Sequence, residues 1–220
     1  MKVASSWSGG LESSLACHKV IEEGNELTCL VTFVLDQYWP AMGHPPHIMC
    51  LQSDAIGIPH VLLKVEEPYK EGYKKAIANL IETWGIEGIV TGDIYVVDDI
   101  HGNWMEDVCE GLDAEVIMPL WEQDTLQILN EEISKGFRAV FTCVKQPYFD
   151  EDWIGRELNK NTVKDLLNLV EKHGIDPCGE NGEYHTMVID GPLFKKEIKI
   201  PKYTKEKSGS RFFMKVGDKT

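Results

Sequence analysis

Ser8-Gly9-Gly10-Leu11-Glu12-Ser13 brings hydroxyls, a carboxylate and two adjacent glycines into one short stretch. An apolar run, residues 2–7, precedes it and a helix-like pattern follows, so the spacing predicts a strand-to-helix turn. Adjacent glycines let backbone N–H groups approach an anion with no Cβ in the way. The next helix adds unpaired N–H groups and the positive end of its dipole. The chemistry this supports is phosphate binding. No Gly-Lys-Ser/Thr follows, which excludes the Walker loop of common kinases and GTPases.

Further segments carry reactive groups. Thr91-Gly92-Asp93-Ile94 ends an apolar run, where an open α/β sheet binds ligands beyond its strand ends. There Gly92 would permit close approach, and Asp93 could orient a polar group. Asp152-Trp153-Ile154-Gly155-Arg156 offers a guanidinium able to grip phosphate or carboxylate. The alternative is an Arg–Asp surface pair over a core tryptophan. Cys178-Gly179-Glu180-Asn181-Gly182-Glu183-Tyr184-His185-Thr186 packs carboxylates, an amide and a histidine into one loop. Such groups can deprotonate an attacking amine or hold a cation. His44, His47 and Cys50 have ligand-like spacing, but no fourth ligand is evident and Pro45 and Pro46 stiffen the segment. Residues lining the site are the expectation there, with no metal bound.

The elements that must position these groups alternate. Apolar runs at 2–7, 27–35, 60–65, 88–91, 115–118 and 137–144 read as strands. Helical periodicity lies between them, clearest at Tyr69, Tyr73, Ala76, Ile77, Leu80, Ile81 and Trp84. This order implies a parallel sheet with helices on both faces. The pattern changes near Gln146. A capping box at Thr162–Asp165 is expected to start a helix. Residues 194–200 and 212–216 alternate with period two and are expected to form a closing hairpin, with a polar, mobile 202–210 between them. The expected domains are 1–145 for the nucleotide and 146–220 as a small α+β lobe for the substrate.

The chain has 220 residues, 43% hydrophobic and 26% charged, enough for a sizeable core. A formal charge of -14 argues against bare nucleic acid as the main partner. Six cysteines without a Cys-x-x-Cys pair read as buried thiols of a reducing compartment. No apolar leader core opens the sequence, and the run 27–35 is too short to span a bilayer. A cytoplasmic protein without a membrane partner is the expectation, and a homodimer is compatible with the sequence.

The Ser8–Ser13 stretch resembles the Ser-Gly-Gly-x-Asp-Ser signature of the PP-loop (N-type) ATP pyrophosphatases. Leu11 stands where many members carry Lys. Glu12 replaces the usual Asp and moves the carboxylate out by one methylene. Gly92-Asp93-Ile94, Pro119-Leu120-Trp121, Asp152–Arg156, Cys178–Thr186 and Asp190-Gly191-Pro192-Leu193-Phe194 together resemble the narrower diphthine–ammonia ligase family, over Lys2 to about Ile200. The resemblance implies a Rossmann-like (HUP-type) α/β fold and an ATP-dependent, Mg²⁺-assisted ligase of diphthamide biosynthesis. In such an enzyme a substrate carboxylate is adenylated with release of pyrophosphate, and ammonia then displaces AMP. Ser8, Gly9, Gly10, Glu12, Ser13, Gly92 and Asp93 would bind the nucleotide. Asp152, Gly155, Arg156, Gly179, Glu180, Asn181, Gly182 and Glu183 would bind substrate, and Glu12, Arg156, Glu180, Glu183 and His185 would act in catalysis. The family's acceptor is a modified histidine on translation elongation factor two. The alternatives are a tRNA-thiolating relative using Cys143 and Cys178, or a catalytically weak ATP sensor.

Overall fold

The computed structural model describes residues 1–35, 43–96 and 103–217. The elements are β1 (Lys2–Ser6), α1 (Leu11–Glu22), β2 (Glu26–Leu35), α2 (Pro46–Ile56), β3 (His60–Val65), α3 (Tyr69–Trp84), β4 (Gly88–Val90), α4 (Trp104–Cys109), β5 (Glu115–Ile117), α5 (Thr125–Lys135), β6 (Arg138–Lys145), β7 (Glu157–Leu158), α6 (Val163–His173), β8 (Tyr184–Asp190), β9 (Tyr203–Ser208) and β10 (Arg211–Val216). They divide between two compact units. One comprises Met1–Ser8, Glu12–Trp39 and Ile58–Glu122; the other Gly9–Leu11, Pro40–Gly57 and Gln123–Thr220.

The first unit holds a five-stranded sheet in the order β3-β2-β1-β4-β5. Its ladders are parallel. The chain moves outward from β1 to β2 and β3, then returns to pair β4 on the other side of β1. Right-handed connections on both sides of that reversal put helices on opposite faces. Ala4, Cys29, Val31 and Ile89 face Ile77 and Leu80 of α3 and Met105 and Val108 of α4. Side chains alternate along β1, so Ser5 points the other way, where the Cys17 thiol of α1 hydrogen-bonds it. The carboxyl ends of β1 and β4 flank the reversal, which is where such sheets bind ligands. α1 starts at Leu11, directly after the glycine pair and two residues before Ser13, where the sequence pattern alone would begin the helix. Ile100, Trp104, Val108 and Leu112 recur every fourth residue in the sequence, a helical spacing; Ile100 lies outside the described residues, and α4 covers Trp104–Cys109.

The second unit is built on an antiparallel sheet in the order β7-β6-β10-β9, with β8 on the remaining edge of β6. Here three expectations are corrected. First, β6 is not a sixth parallel strand. Its interior residues are buried throughout, and such a continuous apolar run does not reveal strand direction. The units therefore part at Glu122/Gln123, where the sequence suggested 145/146. Second, the closing hairpin pairs β10 with β9 through the two-residue turn Gly209-Ser210, not with residues 194–200. β9 is an edge strand with its side chains mostly in solvent, so polar residues suit it and no alternation marks it. Third, Thr162 makes no capping bond to α6. Its hydroxyl donates to the Glu157 carbonyl at 2.7 Å, and Asp165 pairs with Arg156 instead.

Candidate functional site

In the first unit, the chain leaving β1 is pinned where the Thr32 hydroxyl donates to the Trp7 carbonyl at 2.7 Å. Ser8 then donates to Ser13 across the turn at 3.1 Å, linking the first and last residues of the loop. Leu11 is fully buried, which accounts for an aliphatic residue at that position. Glu12 lies in the first turn of α1, half-buried. A Cβ added to Gly92 would lie 2.8 Å from the Ser13 amide nitrogen and 2.9 Å from the Glu12 carbonyl carbon. Only glycine lets the turn after β4 approach the first turn of α1 so closely. Two segments far apart in sequence thus meet at one helix N-terminus. Asp93 is at the exposed side of this turn, yet enough protein surrounds its carboxyl that burial raises it above the ordinary carboxylate range.

The second unit carries the other two motifs. Asp176 organises the loop before β8. One carboxylate oxygen accepts the Cys178 amide at 2.7 Å, and the other accepts the Thr125 hydroxyl at 3.1 Å. Its own amide donates to Glu183 Oε1 at 3.0 Å. Gly179 and Gly182 have φ of 77 and 73°, a left-handed backbone that suits glycine. Glu183 is buried, and its Oε2 has no hydrogen-bond partner among the described residues. Glu180 is half-buried and Asn181 exposed.

His185 meets His44 edge-on at 5.0 Å between ring centroids. Burial first, then the neighbouring His44 and Arg211, push its pKa down to about 3. It is therefore neutral near pH 7. An imidazole this weak is poorly matched to accepting a proton from ammonium. The Arg211 guanidinium reaches the loop directly, donating to the Gly182 carbonyl at 2.7 Å.

The Asp152–Arg156 motif begins within a 3-10 turn, Glu151–Trp153. Arg156 lies over the Trp153 ring at 4.4 Å and pairs with Asp165, while Asp152 is exposed, 3.8 Å from Lys205. Trp153 packs edge-on against Phe141 at 5.1 Å, and Phe141 against Tyr184 at 5.2 Å. This aromatic cluster brings the two motifs of the unit together. Gly155 has φ of 81°, and a Cβ there would lie 1.8 Å from the Tyr203 hydroxyl. His44 packs on His185, and Cys50 is exposed on α2. Cys143 and Cys178 are both buried. Burial raises the Cys143 thiol, and the Cys178 thiol donates to the Thr125 carbonyl at 3.2 Å.

Sequence reasoning missed Asp176, Thr125, Arg211 and Gln52. Asp176 had a local signal, an Asx-type turn into a glycine-rich loop. Arg211 and Gln52 act across long sequence separations and leave no local trace.

Residues 1–115 match the family model described as the diphthamide synthase N-terminal domain, and residues 124–219 match its C-terminal domain. The mouse diphthine–ammonia ligase is 28% identical, over 91% of this chain and 83% of its own length. The human protein of the same name is 29% identical, over 90% and 82%. The fission yeast protein, also so named, is 27% identical over 98% of this chain and 39% of its own. A solved structure titled as a predicted subunit of tRNA methyltransferase, from Methanocaldococcus jannaschii, superposes with a TM-score of 0.48 at 15% identity, over 90% of this chain and all of that one. Among the described residues, no helix is long and apolar enough to cross a membrane.

Proposed function

The chain belongs to the diphthamide synthase family, and on that premise we propose that it is a carboxylate–ammonia ligase that converts ATP to AMP and pyrophosphate. The observation that carries the reading is the convergence of Ser8–Ser13 and Gly92 on the first turn of α1, at the point where the sheet reverses. Backbone N–H groups and the helix dipole there suit an anion. They are suited to stabilise the pyrophosphate as it leaves, where negative charge develops.

The acceptor carboxylate attacks the α-phosphorus, the α–β phosphoanhydride breaks, and pyrophosphate departs. Ammonia then attacks the carbonyl carbon of the acyl adenylate. The C–N bond forms, AMP leaves with the electron pair, and one proton is lost from nitrogen. Ser8, Gly9, Gly10, Ser13, Gly92 and Asp93 are assigned to the nucleotide. Glu12 offers a half-exposed carboxylate of the kind that suits a hard cation. Mg²⁺ bound there would neutralise phosphate charge.

The loop Gly179-Glu180-Asn181-Gly182-Glu183 and the segment with Asp152, Gly155 and Arg156 are assigned to the acceptor and ammonia. Glu183 Oε2, buried and without a hydrogen-bond partner among the described residues, is the oxygen best suited to hold an N–H of ammonium or ammonia. Neutral His185 serves as a hydrogen-bonding group. A modified histidine on translation elongation factor two, carrying a carboxylate, fits the acceptor class. A thiolation reading would need a reactive thiol, and both Cys143 and Cys178 are buried.

The test supplies ATP, Mg²⁺, ammonium and elongation factor two bearing the carboxylate-modified histidine. AMP and amide should form in equal amounts, each dependent on acceptor and ammonium. Formation of ADP instead would contradict the pyrophosphate-releasing mechanism.

A further inference from the structure

Gln52, near the middle of α2, is fully buried yet belongs to no recognised motif. Its side-chain Nε2 donates to two backbone carbonyls, Gly9 at 2.8 Å and Val188 at 2.8 Å. The Val188 amide also donates to the Gly9 carbonyl, at 2.9 Å. One carbonyl of the phosphate loop is thus held by two donors. The Gln52 Oε1 atom has no hydrogen-bond partner among the described residues. It lies 2.4 Å from where a Gly9 Cβ would be.

A peptide unit is planar, so fixing the Gly9 carbonyl fixes the whole Gly9–Gly10 peptide, including the opposite direction of the Gly10 N–H. Gly9 itself has φ of 78° and no Cβ, so its own backbone imposes little order. The order must come from the surroundings. A glutamine amide can supply two protons in one plane to two carbonyls, and leaving its oxygen unpaired is a desolvation cost that a buried group normally avoids. We infer that Gln52 is a positioning residue for nucleotide binding: it clamps the Gly9–Gly10 peptide in its phosphate-facing orientation before ATP arrives. The inference rests on the reading of Ser8–Ser13 as the phosphate loop.

The clamp is tested by Gln52→Met, which keeps length and volume but removes both donors. ATP affinity is measured by calorimetry with Mg²⁺ at a temperature where circular dichroism shows the variant fully folded. The expected result is a Kd weakened about tenfold or more, the equivalent of at least one net hydrogen bond. A folded variant with unchanged Kd, whatever its Tm, overturns the inference, since a merely structural amide would lower Tm and leave Kd alone.

Should Gln52→Met fail to fold, hydrogen exchange in the wild-type protein decides. The Gln52 side-chain amide should exchange far more slowly than those of exposed Gln123 and Gln127, and should shift on adding Mg·ATP. Exchange as fast as theirs, or no response to ATP, overturns it. Calorimetry needs no acceptor. A protein that binds ATP but forms no AMP therefore sinks the ligase reading and leaves the clamp standing. A wild-type protein that binds no ATP sinks both.

Discussion

In the proposed mechanism, Glu12 is the residue on which the chemistry leans most. It carries the longer of the two acidic side chains at the position where PP-loop enzymes have aspartate, in the first turn of α1. If it meets Mg²⁺ or orders the phosphates, Glu12→Ala should lower kcat for AMP formation by about 10²–10³-fold, the usual scale for losing one preorganised electrostatic group. Glu12→Asp should retain most of the rate. An alanine variant with wild-type kcat would remove Glu12 from the mechanism.

His185 gives a second prediction. Its folded pKa is lowered from 6.5 to about 3, so the unfolded chain binds the extra proton first. Its contribution to stability is complete above about pH 6.5 and is lost as pH falls toward about 3. His185→Gln should flatten the loss of stability over that window, measured as denaturant midpoint against pH. An unchanged slope would place the titration elsewhere.

At the scale of elements, the close approach of the β4 turn to α1 is the feature that a single methyl should disturb. Gly92→Ala puts a Cβ against backbone rather than against a yielding side chain. It should destabilise by about 1–3 kcal/mol, as overpacking does, and weaken ATP binding in the protein that remains folded. Wild-type affinity and Tm would show that the approach is looser than described. The loop before β8 depends likewise on Asp176, which accepts from both the Cys178 amide and the Thr125 hydroxyl.

The elements that were legible in sequence are those with a local signal. The Ser-Gly-Gly turn, the apolar stripe of α3 and the alternation of strand and helix through β5 each declare themselves within a short window. What was hidden had either an ambiguous signal or none. β6 is apolar along its length and so does not tell parallel from antiparallel. β9 is polar because it sits on an edge. The roles of Gln52 and Arg211 arise only after strands distant in sequence have paired. The site motifs were readable as motifs, whereas the engagement of Arg156 with Trp153 and Asp165 needed the fold.

At the scale of the whole molecule, a formal charge of -14 and the burial of every thiol but the exposed Cys50 set the expected partners. Bare tRNA should not bind at physiological salt, because no cationic surplus exists to release counterions. A folded Cys143→Ser, Cys178→Ser double variant should keep its ligase activity, whereas its complete loss would revive thiol chemistry. The central claim concerns which bond of ATP breaks and what the acceptor gains. The most direct measurement follows ATP labelled at the α-phosphate, with Mg²⁺, ammonium and elongation factor two carrying the carboxylate-modified histidine. The account predicts labelled AMP in step with a carboxylate-to-amide mass change of about one dalton on the acceptor, and neither product without ammonium. Labelled ADP, or AMP with an acceptor whose mass never changes, would contradict it.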